Sequence, residues 1–420
     1  MHGPLRMTTA GALDDAALRP ASADGGVSAL SSSSESRGEL VVEEIDSLDG
    51  LLELETEWRR LQDLEGSLPF TSWEWNVTWW NHLSPPSLAV SDRLFVKVVR
   101  EPSGRLLAVA PLLLREYPGK GLRFRCLRYF GADPGITEIR GPLCAKDREA
   151  DVCATLLQHL FAQDGKWSCF ILDGLRTEES RALLTRLYGP IDWTESIPDF
   201  TLALPKTWDE FRATRSRNIK ESLRKCANSL RRARLNATHH VASSGPRLTA
   251  ALEAFFRLHA ARAKRTDTIR HKNVFEAPMA RRFLRAVIER LSANDAVRVF
   301  TLEVEGRVVA ARVAFRAGRS LYLYYSGYDP RFAKYSVMTS VVAHAIRYAI
   351  ENGYETINLS TGKDLSKTRW SPEETGVHQA AFASTAQLDR IATAAYLRLR
   401  GAWLARHSAP STLTDPNPRP

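Results

Sequence analysis

The sequence predicts an α/β (α+β) protein made of two similar units in tandem. The main observation is that the order strand, two helices, three-strand meander, helix, strand occurs twice along the chain. Such an alternation of element types favours a layered α/β architecture. The length of 420 residues, with 44% hydrophobic and 25% charged residues, agrees with a globular chain of about two to three domains.

The first unit is predicted to span residues 39–200. It follows a leader at 1–38, rich in Ala, Gly and Ser, which we expect to be disordered because it is almost free of aromatic residues. The predicted elements are a strand at 39–45, a helix at 48–61, a Trp-rich helix near 73–80, strands at 93–99, 106–114 and 122–129, a helix at 151–162 and a strand at 167–175. The helical spacing of Trp73, Trp75, Trp79 and Trp80 favours core packing over a sugar or acyl pocket.

The second unit is predicted to span residues 201–405, with a disordered Pro-rich tail at 406–420. Its predicted elements are a strand at 201–204, helices at 209–235, 249–263 and 278–293, strands at 296–305, 308–316 and 320–326, a helix at 337–352, and strands at 356–359 and 379–385. Gly353 follows the helix at 337–352 and is expected to end it as a C′ glycine.

The net charge, the cysteines and the apolar runs indicate the kind of partner and the cellular compartment to expect. The 58 Lys and Arg residues exceed the 48 Asp and Glu residues, and the net charge of +10 favours an anionic partner. The five cysteines contain no C-x-x-C pair, which favours a reducing compartment. The longest apolar run, at 106–114, is interrupted by Pro111 and is far shorter than the ~20 residues of a membrane span. We therefore expect a cytoplasmic protein, with a peripheral position at the inner membrane as an alternative.

Several common catalytic motifs are absent from the sequence. It contains no G-x-S-x-G, G-x-x-x-x-G-K-[ST], G-x-G-x-x-G or H-E-x-x-H. The adjacent pair His239 and His240 is predicted to lie in a loop, where a metal-binding role is disfavoured. The sequence therefore predicts no metal cofactor.

A basic helix opens the second unit. Its apolar positions, Ile219, Leu223, Cys226, Leu230 and Ala233, form one stripe. The candidate anion-binding residues on the opposite face are Arg217, Lys220 and Arg224. A solvated helix face is an equal alternative. Recognition of RNA bases is less favoured, because the run lacks aromatic residues for stacking.

The segment 322–336 is the most informative part of the chain. A Tyr-rich strand leads through a short basic loop to the start of the helix at 337–352, and a helix N-terminus suits a pyrophosphate. Ser336 is expected to be its N-cap. The candidate cofactor-binding residues are Arg331, Lys334, Tyr335, Ser336 and Val337.

Several motifs in order resemble one known family. They are Pro69-Phe70-Thr71-Ser72-Trp73, Trp79-Trp80, Ala108-Val109-Ala110-Pro111-Leu112, Arg217-Asn218, Leu258-His259-Ala260-Ala261-Arg262, Gly327-Tyr328-Asp329-Pro330, Tyr335-Ser336, and Gly362-Lys363-Asp364 with Lys367 and Trp370. Over about residues 39–400 the sequence resembles the GNAT-fold acyltransferases of the cellulose-biosynthesis-associated CelD/BcsL type, distant relatives of the Fem aminoacyl transferases. The resemblance implies two tandem GNAT-like units, each a mixed, mainly antiparallel sheet flanked by helices.

The resemblance also implies transfer of an acyl group, such as acetyl, from an acyl-CoA co-substrate to an amine or hydroxyl of a small-molecule or saccharide acceptor. No nucleophile–base pair is legible, so we expect direct attack on the thioester. The candidate bases are Asp329 and Asp364, and Tyr325 or Tyr328 is expected to protonate the thiolate. Further candidates for substrate or anion binding are Arg262, Lys367 and Trp370.

Two alternatives to an acyl-CoA-dependent enzyme stay open. One is a non-catalytic GNAT-fold scaffold that binds an anionic polymer or lipid and associates with an envelope or exopolysaccharide biosynthesis machinery. The other is a Fem-like transferase with aminoacyl-tRNA as donor, which is less favoured. A DNA partner is not expected.

Overall fold

The computed structural model describes residues 39–84, 90–118, 123–133, 135–175, 181–182, 184–186, 191, 193–265 and 271–407. The predicted leader at 1–38 and residues 408–420 of the predicted tail lie outside the described residues. The predicted α/β fold class is confirmed, with mainly antiparallel sheets flanked by helices.

The predicted helices and strands occur in the predicted order, and further elements lie between and after them. The helices are α1 (Leu48–Glu53), α2 (Glu55–Glu65), α3 (Trp73–Leu83), α4 (Glu149–Ala162), α5 (Trp208–Thr214), α6 (Arg217–Arg232), α7 (Gly245–Ala263), α8 (Pro278–Ser292), α9 (Val337–Glu351), α10 (Leu365–Thr368) and α11 (Gln387–His407). The strands are β1 (Val41–Ile45), β2 (Ser91–Leu94), β3 (Val96–Arg100), β4 (Leu106–Ala110), β5 (Leu112–Pro118), β6 (Arg123–Tyr129), β7 (Leu143–Cys144), β8 (Cys169–Leu175), β9 (Trp193–Ala203), β10 (Ala237–Ala242), β11 (Val297–Val304), β12 (Arg307–Ala317), β13 (Ser320–Tyr328), β14 (Thr356–Thr361) and β15 (Glu373–Ala383).

One long sheet joins the two halves of the chain. It has eleven strands in the order β10-β11-β12-β13-β14-β9-β15-β8-β6-β5-β2, and a second, four-stranded sheet has the order β1-β3-β4-β7. Strand β9 pairs antiparallel with both β14 and β15. The division predicted at 200/201 therefore falls inside a strand that hydrogen-bonds to strands of the second half.

Several predicted elements are divided in the structure. The predicted strand 106–114 is split at Pro111, whose missing N–H cannot join a ladder. The predicted strand 93–99 is split at Phe95, whose amide donates to the carbonyl of Leu112. At these two points the chain passes from one sheet to the other, so that β2 and β5 belong to the eleven-stranded sheet and β3 and β4 to the four-stranded sheet. The predicted helix 209–235 is interrupted before Ser216, whose side chain caps α6 by accepting a hydrogen bond from the amide of Ile219.

Four elements of the described structure were not predicted, namely β7, β10, α10 and α11. His239 and His240 lie in strand β10, which pairs antiparallel with β11, and the prediction of a loop there was wrong. No helix was predicted at the position of α11, although the second unit was predicted to reach residue 405. Its side chains Leu388, Ile391 and Leu399 are 64%, 62% and 73% exposed, so the apolar residues of α11 do not form the single buried stripe that reveals a helix.

The two faces of the sheet around β13 carry different cores. Tyr322 and Tyr324 pack in the core that also contains Trp75 and residues of α7 and α8. Leu321 and Leu323 pack in the core that contains the apolar side of α9. Strand β13 thus separates α7 on one face from α9 on the other. The predicted core role of Trp73, Trp75 and Trp79 is confirmed, since they are 3%, 1% and 0% exposed.

Helix α7 crosses β13 at Gly327. A Cβ atom there would lie 2.2 Å from the backbone nitrogen of His259 and 2.4 Å from the carbonyl carbon of Leu258. Neither backbone atom can withdraw without moving the helix. We expect Gly327→Ala to lower the free energy of unfolding by about 1–3 kcal/mol or more, measured by urea denaturation.

Gly165→Ala is the matched control for this substitution, because no atom lies within 4 Å of a Cβ built at Gly165. We expect its stability to match that of the wild type. Equal stability of the two variants would contradict the close approach of α7 to β13.

Candidate active site

The site lies where two parallel strands separate. Strands β13 and β14 pair only at Ser320–Tyr322 against Thr356–Asn358, and beyond these residues they diverge. A cavity of about 750 Å³ lies between them. Its lining comes from both faces of the sheet, from α9 on one face and from α7 and β13 side chains on the other.

The first turn of α9 forms one wall of this cavity. Ser336, Val337, Met338 and Thr339 line it. Ser336 occupies the N-cap position, as predicted, but its φ is +55° and its side chain makes no cap hydrogen bond. The first amides of a helix have no intrahelical acceptor, and they carry the positive end of the helix dipole. This wall is therefore suited to a phosphate group.

The other predicted cofactor-binding residues lie outside the lining. Arg331, Lys334 and Tyr335 belong to the 3₁₀ turn at Pro330–Tyr335. Arg331 pairs with Asp329 at 2.7 Å, and the Lys334 ammonium lies 5.1 Å from the ring centre of Tyr335. Of the five candidates, the structure thus brings only Ser336 and Val337 to the cavity.

Tyr322, Tyr324 and Tyr325 of β13 contact one loop of the first half, at residues 135–138. The register between β12 and β13 shifts between Arg312 and Ala314, which brings Tyr324 and Tyr325 to one side of the sheet. The Tyr325 hydroxyl donates to the carbonyl of Gly135 at 2.6 Å, and the Tyr324 hydroxyl donates to the carbonyl of Ile136. Burial raises the pKa of Tyr325 well above its usual value, so the phenol is protonated at neutral pH.

This loop delivers a carboxylate to the cavity. Glu138 accepts hydrogen bonds from the Tyr322 hydroxyl at 2.7 Å and from the Ser360 hydroxyl at 2.9 and 3.0 Å. Burial raises the pKa of Glu138, although Lys367 and the two hydrogen bonds act in the opposite direction. A carboxyl group with a raised pKa inside a cavity is a candidate for proton transfer. Glu138 is not among the site residues predicted from the sequence.

The segment after β14 places three predicted site residues in the lining, namely Asp364, Lys367 and Trp370. Asp364 caps α10 by accepting from the amide of Ser366 at 2.7 Å. Burial alone would raise the pKa of Asp364, but the Ser366 hydrogen bond and the Lys367 charge lower it. The ammonium of Lys367 donates to the carbonyls of Thr361 and Gly362.

The predicted base Asp329 does not line this cavity. Its carboxylate accepts from the amide of Arg331 and forms ion pairs with Arg331 at 2.7 Å and Arg307 at 3.5 Å. Arg331 lowers the pKa of Asp329. This geometry is that of a capping residue of the 3₁₀ turn, which corrects the candidate role as a base. Tyr328, in contrast, lines the cavity, and its hydroxyl accepts from Arg265 at 2.9 Å.

The cationic side of the cavity is built by α7 and β12. Arg262 donates to the Ser326 hydroxyl at 2.9 Å and contacts Nε2 of His271 at 2.6 Å. Arg312 donates through Nε to the carbonyl of Tyr324 at 3.2 Å. Arg262, predicted from the sequence, and Arg312, which was missed, both line the cavity.

The basic face of α6 points away from this site. Arg217 is 89% exposed and pairs with Glu221 at 2.7 Å, and Lys220 donates to the carbonyl of Ala213. Neither these two residues nor Arg224 lines the cavity. The geometry favours the solvated-face interpretation over the anion-binding one.

We therefore expect the triple variant Arg217→Gln, Lys220→Gln, Arg224→Gln to bind CoA with unchanged affinity and to retain its circular dichroism spectrum. Isothermal titration at low ionic strength, where exposed charges act most strongly, measures this directly. A tenfold loss of affinity, about 1.4 kcal/mol, would instead place the basic face in contact with the ligand.

The described residues were also compared with the requirements of a metal site and of a membrane-spanning helix. No group of His, Cys, Asp and Glu among them is arranged to hold a metal ion. None of the described helices combines the length and the apolar character that a membrane crossing requires.

One known protein family is similar in sequence to the second half of the chain. Residues 217–370 match the sequence model of a family described as an acetyltransferase (GNAT) domain. The cavity wall formed by α9 falls within this range, whereas Glu138 lies outside it. No curated protein matches the sequence significantly.

Solved structures extend the similarity to most of the chain. The crystal structure of FemX superposes with a TM-score of 0.57 at 11% identity, covering 84% of this chain and 100% of that chain, which shows a shared fold. The C-terminal domain of a putative lysylphosphatidylglycerol synthetase from Agrobacterium fabrum gives 0.48 at 12% identity, covering 84% and 96%. A tandem GNAT protein from the clavulanic acid biosynthesis pathway gives 0.42 at 10% identity, covering 83% and 100%. The resemblance to the CelD/BcsL type stays a prediction.

Proposed function

We propose that this protein is an acyltransferase that moves an acyl group, such as acetyl, from an acyl-CoA to an amine or hydroxyl of an acceptor. One observation carries the proposal. The cavity passes between β13 and β14, with the first turn of α9 on one face of the sheet and Glu138 on the other. Donor and acceptor can therefore approach the gap from opposite faces.

The donor side is the first turn of α9. The amides of this turn and the helix dipole suit the pyrophosphate of CoA. Because the turn lies on the α9 face, a thioester extending from it would enter the gap where the two strands separate. Van der Waals contact with Val337 and Val342, which also line the cavity, would accompany this path.

The base in this reaction is Glu138, which lies on the side of the cavity opposite α9. The acceptor nitrogen or oxygen attacks the thioester carbonyl, its proton passes to the Glu138 carboxylate, and the carbon–sulfur bond breaks. The raised pKa of Glu138 brings its basicity closer to neutrality, which suits a general base. The Tyr328 hydroxyl accepts a hydrogen bond from Arg265, so its own proton can pass to the departing thiolate.

The class of acceptor and the pathway extend this proposal. A saccharide or another small molecule of envelope or exopolysaccharide biosynthesis is the acceptor that the sequence resemblance favours. The lining combines tyrosines, Ser360 and charged side chains, which supports a polar acceptor.

Two measurements on the full chain test the proposal. Isothermal titration with CoA and acetyl-CoA is expected to show saturable binding, and a thiol assay with a panel of amines and hydroxyl compounds is expected to show release of CoA. Absence of any heat of binding with both ligands would favour the scaffold alternative. Binding of aminoacyl-tRNA, with affinity falling steeply with salt, in place of CoA would favour the Fem-like alternative.

A further inference from the structure

Helix α11 has one side packed on the sheet and the other exposed. Its inner side packs against β8 and β15, where Thr393 is fully buried and donates to the carbonyl of Ser168 at 3.0 Å. The ring of Tyr396 lies 5.2 Å from the ring of Phe124 and 5.6 Å from the ring of Tyr117, measured between centres. These contacts hold the helix on the sheet and leave its opposite side exposed.

The exposed side carries a row of apolar residues, which we call the outer stripe of α11. Spacings of three and four residues place its members on one face of the helix, namely Leu388, Ile391, Ala395, Leu399 and Ala402. The two leucines and the isoleucine are 64%, 73% and 62% exposed. Within the described part of the chain, no other helix or strand exposes three large apolar side chains. A contiguous exposed apolar patch is typical of an interaction site.

The charge of α11 indicates the chemistry of the partner. The helix has four arginines, Arg390, Arg398, Arg400 and Arg406. Its single acid, Asp389, accepts a hydrogen bond from the Ser384 hydroxyl at 2.8 Å. Arg398 is exposed next to Leu399 of the outer stripe, and it forms no ion pair with a described residue. The outer stripe with its bordering positive charge therefore complements a partner that is both apolar and anionic.

A lipid bilayer with anionic headgroups combines these two properties. An amphipathic helix binds such a bilayer in the plane of the interface, with its apolar side chains at the boundary of the acyl chains. Arginine suits the border of this face, because its aliphatic stem lies along the apolar region while the guanidinium group reaches a headgroup phosphate. The negative potential of the lipid surface also attracts a chain with a net charge of +10.

Two other arrangements are less favoured by the charges. Two copies of the chain packed through their outer stripes would bring together two helices with excess positive charge, and such like charges oppose association. The basic face of α6 is a second positively charged surface that could meet a membrane. It exposes no large apolar side chain among the described residues, so it offers charge alone.

We propose that α11 is a membrane-contact surface, which binds the chain to anionic phospholipid bilayers through the outer stripe and Arg398. With four arginines in 21 residues, α11 suits a position on the interface and not across it. The inference is independent of the proposed acyl transfer, because no residue of α11 lines the cavity.

Vesicle flotation with the full-length chain tests the proposal. The probes are vesicles of equal parts phosphatidylglycerol and phosphatidylcholine, compared with vesicles of phosphatidylcholine alone. We expect partitioning onto the mixed vesicles to be stronger by about tenfold or more and to weaken as salt is added. Arg398→Gln is expected to weaken binding to the mixed vesicles by about fivefold, the effect of one charge near the surface.

Leu399→Gln and Leu64→Gln form a matched pair, because both leucines are 73% exposed on helices, the first in the outer stripe and the second on α2. We expect Leu399→Gln to weaken binding to the mixed vesicles by about 5- to 10-fold, with no change in Leu64→Gln. The triple variant Leu388→Gln, Ile391→Gln, Leu399→Gln is expected to lose about 100-fold or more. All three side chains are exposed, so we expect the circular dichroism spectrum of the wild type.

Several results would overturn the proposal. The first is a wild-type chain that does not bind the mixed vesicles, or that binds both kinds of vesicle equally. Equal binding by Leu399→Gln and Leu64→Gln would also contradict it. Vesicle binding that the α11 triple variant keeps, and that Arg217→Gln, Lys220→Gln, Arg224→Gln loses, would place the contact at α6. A dimer in light scattering that the α11 triple variant converts to a monomer, without vesicle binding, would assign the outer stripe to a second copy.

Discussion

Replacing Glu138 with Gln is expected to reduce kcat by about 10²–10⁴-fold with little change in the affinity for acyl-CoA. The amide keeps the size of the side chain and can still accept from Tyr322 and Ser360, but it cannot take a proton from the acceptor. Steady-state kinetics with the best acceptor, together with titration of CoA, measure the two quantities separately.

The pH dependence gives the same prediction a second measurement. A general base acts in its deprotonated form, so activity falls as pH falls through its pKa. Because burial raises the pKa of Glu138 above its ordinary value of 4.5, this decline is expected at a higher pH than for an ordinary carboxyl group. The decline is expected to disappear in Glu138→Gln.

Asp329→Asn is the matched control, because sequence reasoning assigned the base to this residue and the structure places it outside the cavity. Its carboxylate caps the 3₁₀ turn and pairs with Arg331 and Arg307. We expect a loss of stability of about 0.5–2 kcal/mol, with kcat retained. The reverse result, an active Glu138→Gln and an inactive Asp329→Asn, would return the role of base to Asp329.

Ser336→Glu is expected to weaken CoA binding by roughly 10- to 100-fold, because it places a carboxylate beside the amides that are assigned to the pyrophosphate. The helix is expected to persist, since the Ser336 hydroxyl makes no cap hydrogen bond and an acidic residue is favourable at a helix N-terminus. Titration with CoA at two salt concentrations measures the effect and its electrostatic origin.

Ser336→Gln is the control for size and for the left-handed backbone conformation at this position, where φ is +55°. We expect its CoA affinity to stay much closer to that of the wild type. An equal loss in both variants would mean that space, not charge, governs this wall. Unchanged affinity in Ser336→Glu would place the pyrophosphate elsewhere.

The local features of the second unit could be predicted from the sequence. Short stretches of neighbouring residues predict the Tyr-rich strand, the start of α9 at Val337 and the glycine that follows the helix. Gly353 has the expected positive φ of +72°. Local patterns also misled. Asp329 and Arg331 resemble a base and a phosphate ligand, but they pair with each other because they are two residues apart at a turn.

The residues missed by the sequence analysis depend on distant contacts. Glu138 meets the Tyr322 hydroxyl across 184 residues of sequence and Ser360 across 222. Its loop, rich in Gly and Pro, belongs to the first half of the chain but reaches the site of the second half. Arg312 is one of three arginines in β12, and the cavity that it lines exists because β13 separates from β14.

Hydrogen exchange of the full-length chain with and without CoA tests the central claim, that the donor binds at the gap between β13 and β14. We expect slower exchange of the amides at 337–340, in the first turn of α9, with no change at 149–152, in the first turn of α4. Protection at 149–152 that leaves 337–340 unaffected would contradict it.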